Sequence, residues 1–113
     1  MKNELETFVT YYDNGQKEVE VKYKGGTMFE GLCSFWYENG QKKAEQNYKD
    51  GKPDELTTVW YENGQKDCEG NFKNDKKEGL WTYWYENGQK EREENYKDGE
   101  LVKETTWKQS INR

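Results

Sequence analysis

A six-residue segment that recurs four times is the feature that most constrains the fold of this chain. It reads Tyr-Asp-Asn-Gly-Gln-Lys at residues 12–17 and Tyr-Glu-Asn-Gly-Gln-Lys at residues 37–42, 61–66 and 85–90. The glycines of the four segments are separated by 25, 24 and 24 residues. A nearly constant period of this length indicates a repeat protein, in which each supersecondary unit packs mainly against its neighbours.

Each copy predicts a β-hairpin. Asn-Gly favours a two-residue type I′ turn with positive φ at both positions, and the flanking segments are rich in aromatic and β-branched residues. A second turn signal lies midway between the Asn-Gly pairs, at Gly25-Gly26, Asp50-Gly51, Asn74-Asp75 and Asp98-Gly99. Reversal at every turn predicts an all-β fold, a single-layer antiparallel meander of about nine strands. The strands are expected at residues 4–12, 16–23, 30–37, 41–48, 55–61, 65–72, 79–85, 89–96 and 101–108.

This pattern predicts a single repeat domain over residues 1–113. Its four tandem units cover approximately residues 1–25, 26–50, 51–74 and 75–98, followed by a capping strand at 99–113. The end units deviate most from the repeat, as is usual for units that cap a repeat array.

The predicted turn assigns the side chains to two faces. If Asn39 and Gly40 form a two-residue loop, Trp36 lies opposite Lys43 and Tyr37 lies opposite Lys42. Alternation along the strands then places an aromatic column on one face, made of Tyr11, Trp36, Trp60, Trp84 and Trp107. The same face carries a glutamate column, Glu20, Glu45, Glu69 and Glu93, and the opposite face carries Tyr12, Tyr37, Tyr61 and Tyr85.

The composition indicates a folded sheet with little aliphatic core. Hydrophobic residues make up 30% of the chain and charged residues 36%, a balance that by itself is typical of disorder. However, aromatic residues make up 16%, and 23 acidic residues are nearly balanced by 18 basic ones. We therefore expect aromatic side chains on adjacent strands to pack together and to cover the stems of lysines and glutamates.

Composition also disfavours several classes of function. The chain has no histidine, the commonest general base and metal ligand, and its glycines lie at turns or strand edges rather than in a phosphate loop. We therefore expect no enzymatic activity, no metal site and no cofactor. A net charge of −5 disfavours nucleic acid, whose phosphates require a basic surface.

The cellular location of the protein is predicted from the hydrophobicity of its segments. No apolar run approaches the ~20 residues of a membrane span, and the first residues lack the apolar stretch of a signal peptide. We therefore expect a cytoplasmic protein. Cys33 and Cys68 fall on the third and sixth predicted strands, about 14 Å apart by strand spacing, so both are expected to be reduced thiols.

The unit Trp-Tyr-Glu-Asn-Gly-Gln-Lys, followed by Asn-Tyr-Lys-Asp-Gly, resembles the MORN-variant repeat and is most similar to the YwqK-family antitoxins of bacteria. The best matches are residues 36–51, 60–72 and 84–99, and the resemblance extends from Tyr11 to Trp107. The chain departs from the pattern at Glu55, where the copies on either side have Gly31 and Gly79.

The resemblance implies an antitoxin or immunity protein that binds a cognate toxin and occludes its active site. The acidic charge suits a basic toxin domain as partner. MORN repeats are also linked to scaffolding and to membrane lipids, and aromatic hairpins in other proteins bind sugars or choline. A MORN-type scaffold, or a surface or cell-wall binding module, is therefore the alternative function.

Two roles remain open for the tryptophan column. It either holds successive hairpins together or forms, with the glutamate column, a strip that binds the partner, since Trp and Tyr dominate interface hot spots. The eight turn residues are assigned a structural role: Asn14, Gly15, Asn39, Gly40, Asn63, Gly64, Asn87 and Gly88. The end strands near residues 5–10 and 101–107 are exposed templates for an edge-to-edge homodimer.

Overall fold

The computed structural model describes residues 5–25 and 28–109 and shows an open antiparallel β-sheet. The strands are β1 (Glu6–Tyr11), β2 (Lys17–Lys24), β3 (Met28–Phe29), β4 (Gly31–Trp36), β5 (Lys42–Lys49), β6 (Lys52–Trp60), β7 (Lys66–Lys73), β8 (Lys76–Trp84), β9 (Lys90–Lys97) and β10 (Glu100–Thr106). Nine of them follow one another across the sheet in chain order, and the two-residue β3 pairs with β2 beside this path. No helix occurs in the described residues, and the predicted all-β meander is confirmed.

The Asn-Gly turns contain one more residue than the sequence predicted. The amide of Gly40 donates to the carbonyl of Tyr37 at 3.0 Å, and the amide of Tyr37 donates to the carbonyl of Gln41 at 2.9 Å. Gly40 has a φ of 89°, whereas Asn39 does not have positive φ. This is a type I turn followed by a left-handed glycine that forms a G1 bulge, and the same two hydrogen bonds recur in the other three copies. The type I′ prediction was wrong here.

The asparagine side chain explains the choice of turn. Oδ1 of Asn39 accepts a hydrogen bond from the amide of Gln41 at 2.9 Å, and the equivalent asparagines do the same. This local bond stabilises the three-residue loop, because the asparagine side chain satisfies a backbone donor two residues further along.

The type I′ geometry occurs instead at three of the midway turns, whereas Gly26 of the predicted Gly25-Gly26 turn lies outside the described residues. Asp50 and Gly51 have φ values of 52° and 82°, and the ladder closes directly outside them, where Lys49 pairs with Lys52. Asn74-Asp75 and Asp98-Gly99 also have positive φ at both positions. These three midway turns therefore differ from the Asn-Gly turns, and they leave the strand register unshifted at the loop.

The bulge moves two lysines to the opposite faces from those predicted. Trp36 pairs with Lys42 rather than with Lys43, and the register then shifts so that Phe35 pairs with Ala44. Beyond the shift, Ser34 pairs with Glu45 as predicted. Because the extra residue is absorbed beside the turn, the predicted facing was wrong for the lysines and correct for the rest of the strand.

The sheet is a single layer with very little enclosed core. Its Cα atoms span only 12 Å in the thinnest direction. Within the described ranges, the buried apolar side chains are Val21, Cys33 and Trp81, and the buried polar ones are Ser34, Thr57, Thr58, Thr82 and Glu94. These residues lie near the middle of their strands, so the protein is held together mainly by contacts between neighbouring strands.

Trp81 is the largest of these buried side chains, and sequence reasoning missed its role. It is 3% exposed, donates its indole N–H to the carbonyl of Asn71 at 3.0 Å and packs edge to face on Phe72. It follows Leu80 and precedes Thr82 on β8, so it lies on the face opposite Trp84. Comparison of the repeats did not indicate a buried tryptophan at this position, because the equivalent residue of the preceding copy, 24 positions earlier, is Thr57.

Candidate functional site

One face of the sheet, here called the Trp face, carries the predicted aromatic column. Trp36, Trp60 and Trp84 are half-buried, whereas the end members Trp107 and Tyr11 are 39% and 59% exposed. The interior tryptophans therefore lose most of their free surface to neighbouring repeats.

Lysine side chains cover much of the remaining tryptophan surface. Lys17 and Lys42 lie with Nζ 5.6 and 5.4 Å from the ring centroid of Trp36. Lys66 lies 5.8 Å from Trp84, and Lys90 lies 5.3 Å from Trp107. These distances fall within the range of cation–π attraction. The sequence did not predict that these lysines belong to the site, because the type I′ register placed them on the other face.

The same lysines neutralise the glutamate column. Lys17, Lys42, Lys66 and Lys90 make ion pairs of 2.7, 2.6, 3.0 and 2.7 Å with Glu20, Glu45, Glu69 and Glu93 respectively. The hydrogen bond from Lys17 holds the pKa of Glu20 below its usual value. The predicted acidic rim of the tryptophans is therefore an ordered row of ion pairs with no net charge.

The glutamates belong to one continuous row across the strands. Successive partners in the antiparallel ladders alternate between a carboxylate and a hydroxyl: Glu20, Ser34, Glu45, Thr58, Glu69, Thr82, Glu93 and Thr105. Thr58 donates its hydroxyl to Glu69 at 2.9 Å. The row therefore has a structural role, because each buried hydroxyl lies between two carboxylates that are fixed by lysines.

The turn tyrosines tie each repeat to the next. The hydroxyl of Tyr12 donates to the carbonyl of Trp36 at 2.6 Å, and Tyr37 and Tyr61 do the same to Trp60 and Trp84. The bond from Tyr85 to the carbonyl of Trp107 is longer, 3.1 Å. Burial raises the pKa of Tyr37, and the carboxylates of Glu62 and Asp67 raise it further.

The asparagines of the turns make a second set of inter-repeat contacts. The amide nitrogen of Asn14 donates to the carbonyl of Glu38 at 2.8 Å, and Asn39 and Asn63 reach Glu62 and Glu86 in the same way. The Asn-Gly turns are thus stacked along one edge of the sheet, and hydrogen bonds between successive turns hold them at a regular spacing.

This stacked edge carries a line of exposed carboxylates, here called the acidic edge: Asp13, Glu38, Glu62 and Glu86. Each is the residue between the tyrosine and the asparagine of its turn, so neighbours are about 10 Å apart by the spacing of two strands. None of the four forms an ion pair with another described residue. Burial, and then the charge of Glu91, raises the pKa of nearby Asp67. The uncompensated negative charge therefore lies at the turns and not beside the tryptophans.

No group of three or more Cys, Asp or Glu side chains among the described residues is arranged to hold a metal ion. The grooves beside the midway turns are open and lined by charged side chains such as Lys49, Asp54 and Lys76. Cys33 and Cys68 are free, and burial raises the pKa of the Cys68 thiol to about 11.

These features define a class, the β-hairpin repeat proteins whose units form one open sheet. The model of the MORN repeat variant matches residues 7–24, 29–50, 56–74 and 77–98, which together make up more than half of the chain. The chain therefore belongs to the MORN repeat variant family, and the MORN part of the predicted resemblance is confirmed. Repeats of this kind indicate a scaffold or binding module.

Neither a search of curated proteins nor a search of solved structures found a match. Over the described residues, no helix has the length and apolar character required to span a bilayer.

Proposed function

We propose that this protein is an antitoxin or immunity protein that binds a basic bacterial toxin domain and occludes its active site. The proposal combines the YwqK-family resemblance of the repeat with the surface chemistry of the sheet. Binding without catalysis, and action in the cytoplasm, are parts of the same proposal.

The observation that carries the proposal is the acidic edge. Four carboxylates at regular spacing, without ion-pair partners in the described chain, project from turns that are stacked by hydrogen bonds. Charge held on such a regular edge attracts a basic surface and accelerates encounter with it. A regular edge also limits the ordering cost of binding, because its turns are held in place before the partner arrives.

The tryptophan column provides apolar contact next to this charge. Trp36, Trp60 and Trp84 each lie one residue before the tyrosine that starts a turn, so a partner seated on the acidic edge reaches the margin of the Trp face. Interfaces commonly combine such aromatic anchors with a charged rim. Among the predicted site residues, the tryptophans keep this proposed role. The role of attracting a basic partner was predicted for Glu20, Glu45, Glu69 and Glu93. Because lysines already neutralise those four glutamates, we assign this role to the acidic edge instead.

The test is co-expression with the protein encoded by the adjacent gene, followed by co-purification and a growth-rescue assay. We expect a stable complex and restored growth. A complex without rescue would favour the scaffold function, and the absence of both would refute the antitoxin proposal.

A further inference from the structure

The last strand of the described sheet repeats the pattern of an interior strand but lacks one neighbour. Thr105 pairs with Glu93, as Thr82 does from the other side, and Lys90 lies over Trp107 as Lys66 lies over Trp84. β10 is therefore equivalent to the first strand of a fifth hairpin. In the described chain it pairs with β9 only.

Exposure shows what the missing neighbour would cover. Interior hydroxyls of the carboxylate–hydroxyl row are buried, with Thr58 4% and Thr82 9% exposed, whereas all seven residues of β10 are exposed. Val102 is 62% exposed. The other edge differs less from the interior, because Val9 and Thr10 of β1 are already half-buried.

The free hydrogen-bonding groups of β10 can be assigned. The amide of Trp107 donates to the carbonyl of Glu91 at 2.9 Å, so its backbone groups face β9. Because these groups alternate along a strand, Thr105 also faces β9, whereas Glu104 and Thr106 direct their N–H and C=O groups away from the sheet. A strand that pairs with this edge must match those two residues.

We propose that β10 pairs with β10 of a second copy of this chain across a twofold axis. This inference does not depend on the toxin. Strands of the meander alternate in direction. Because β1 is the first and β10 the ninth strand in order across the sheet, the two edge strands run in the same direction. Joining β10 to β1 of another copy with the faces aligned would require a parallel pair. Rotation about an axis normal to the sheet instead places two β10 strands antiparallel, with the Trp faces continuous.

The outward groups select a register. Matching Glu104 of one copy to Thr106 of the other places Thr105 opposite Thr105 on the axis and Lys103 opposite Trp107. A register with Glu104 opposite Glu104 brings like charges together, and one with Thr106 opposite Thr106 pairs fewer residues because β10 ends at Thr106. The selected pairing reproduces an interior relationship, because Trp36 lies opposite Lys42 with the ammonium 5.4 Å from the ring. Lys103 has no ion-pair partner among the described residues, so it is available for this contact.

The first experiment is sedimentation equilibrium of the whole chain from micromolar to millimolar concentration. We expect a reversible monomer–dimer equilibrium that Thr106→Pro abolishes, since proline removes an outward donor without breaking the pairing with β9. The matched control is Val9→Pro, which removes an outward donor at β1. Circular dichroism checks that both variants are folded. A wild type that is monomeric at all concentrations, or a dimer lost only with Val9→Pro, would overturn the proposal.

A second experiment tests the register and does not depend on proline variants. Thr105→Cys should form a disulfide-linked dimer on mild oxidation, because residues on the axis would be directly opposed at about 4.5 Å between Cα atoms. The wild type and Thr106→Cys should not. Lys103→Glu should weaken dimerisation about tenfold through loss of both lysine–tryptophan contacts. If Lys103 only protects an edge from association, Lys103→Thr should strengthen the dimer, and that result would refute the proposed contact.

Discussion

The indole of Trp81 lies directly on the backbone of Gly70, where a Cβ atom would come within 2.1 Å of the ring carbon Cδ2. No other glycine of the described chain is approached so closely by a neighbouring side chain. In the preceding repeat the equivalent positions hold Gln46 and Thr57, which form a side-chain hydrogen bond. One pair of positions is thus filled in two ways, by an amide and a hydroxyl or by a glycine and a tryptophan.

Gly70→Ala should therefore lower the free energy of unfolding by about 3 kcal/mol, because the added methyl group displaces a buried ring. Urea denaturation followed by tryptophan fluorescence measures the change. The double variant Gly70→Gln/Trp81→Thr transplants the pair of the preceding repeat. It should cost less than the sum of the single variants Gly70→Gln and Trp81→Thr, and additive costs would show that the two positions are not coupled.

Glu55 has a φ of 62°, at the position where the copies on either side have Gly31 and Gly79. A left-handed conformation costs an L-residue roughly 1–2 kcal/mol, partly offset by the greater freedom of glycine in the unfolded chain. Glu55→Gly should therefore raise the free energy of unfolding by about 0.5–1 kcal/mol.

The reciprocal variant tests the same argument in the opposite direction. Gly79 has a φ of 72° and open space where a Cβ would lie, so Gly79→Glu probes the backbone conformation without a clash. It should be destabilising by a similar amount, measured in the same urea titration. Destabilisation by Glu55→Gly would show that the Glu55 side chain makes a contribution larger than the backbone strain.

The tyrosine hydroxyls that link the repeats should contribute unequally. Tyr61→Phe leaves the carbonyl of Trp84 without its 2.6 Å donor in a half-buried site and should cost about 1 kcal/mol. Tyr85→Phe removes an exposed bond of 3.1 Å to Trp107 and should cost less than half as much. Thermal unfolding of the two variants compares them directly, and equal losses would contradict a difference based on burial.

The Cys68 thiol should be unreactive at neutral pH. Burial, and then the charge of Asp67, raises its pKa to about 11 from an ordinary value of 9.0. Alkylation by iodoacetamide at pH 8 should be at least tenfold slower in the folded protein than in urea, because the thiolate is the nucleophile. Cys68→Ala, which retains Cys33, identifies the modified residue. Rapid alkylation of the folded protein would contradict the proposed burial.

The same pKa shift gives a pH dependence of stability with a defined sign. Below pH 9 the thiol is protonated in both states, and its full contribution to stability is present. As the pH rises, the unfolded chain releases its proton first, so the free energy of unfolding should fall until the pH passes about 11. Cys68→Ala should reduce the size of this fall.

The acidic edge should control association with the toxin. Glu62→Lys/Glu86→Lys should slow complex formation at least tenfold and weaken its dependence on salt, because both charges are exposed and lack ion-pair partners among described residues. Glu55→Lys/Glu100→Lys makes the same change of charge at exposed positions away from that edge. Stopped-flow or surface-binding kinetics should show a much smaller effect for it, and equal effects would mean that only net charge matters.

The architecture could be predicted from the sequence. The repeat period, the turn residues and the alternation of residue types along the strands predicted the meander, because strand and turn propensities depend on residues that are close in the sequence. The turn type at Asn39-Gly40 was not predicted, since Asn-Gly suits both a type I′ turn and a type I turn with a bulge. That one extra residue moved Lys42 beneath the tryptophan column and neutralised Glu45.

The charges and aromatic rings that remain available to a partner could be identified only from the folded sheet. Trp81 is buried on Gly70 of the neighbouring strand, whereas Lys42 and Glu45 pair within β5. Lys42 also lies over Trp36, because the bulge places it on that face. The Lys–Glu spacing recurs in all four repeats, but Gly70 and Trp81 have no counterparts in the preceding repeat, where Gln46 and Thr57 stand. Strand register explains this, because a shift of one residue beside a turn exchanges the faces of adjacent side chains, and composition does not record that shift.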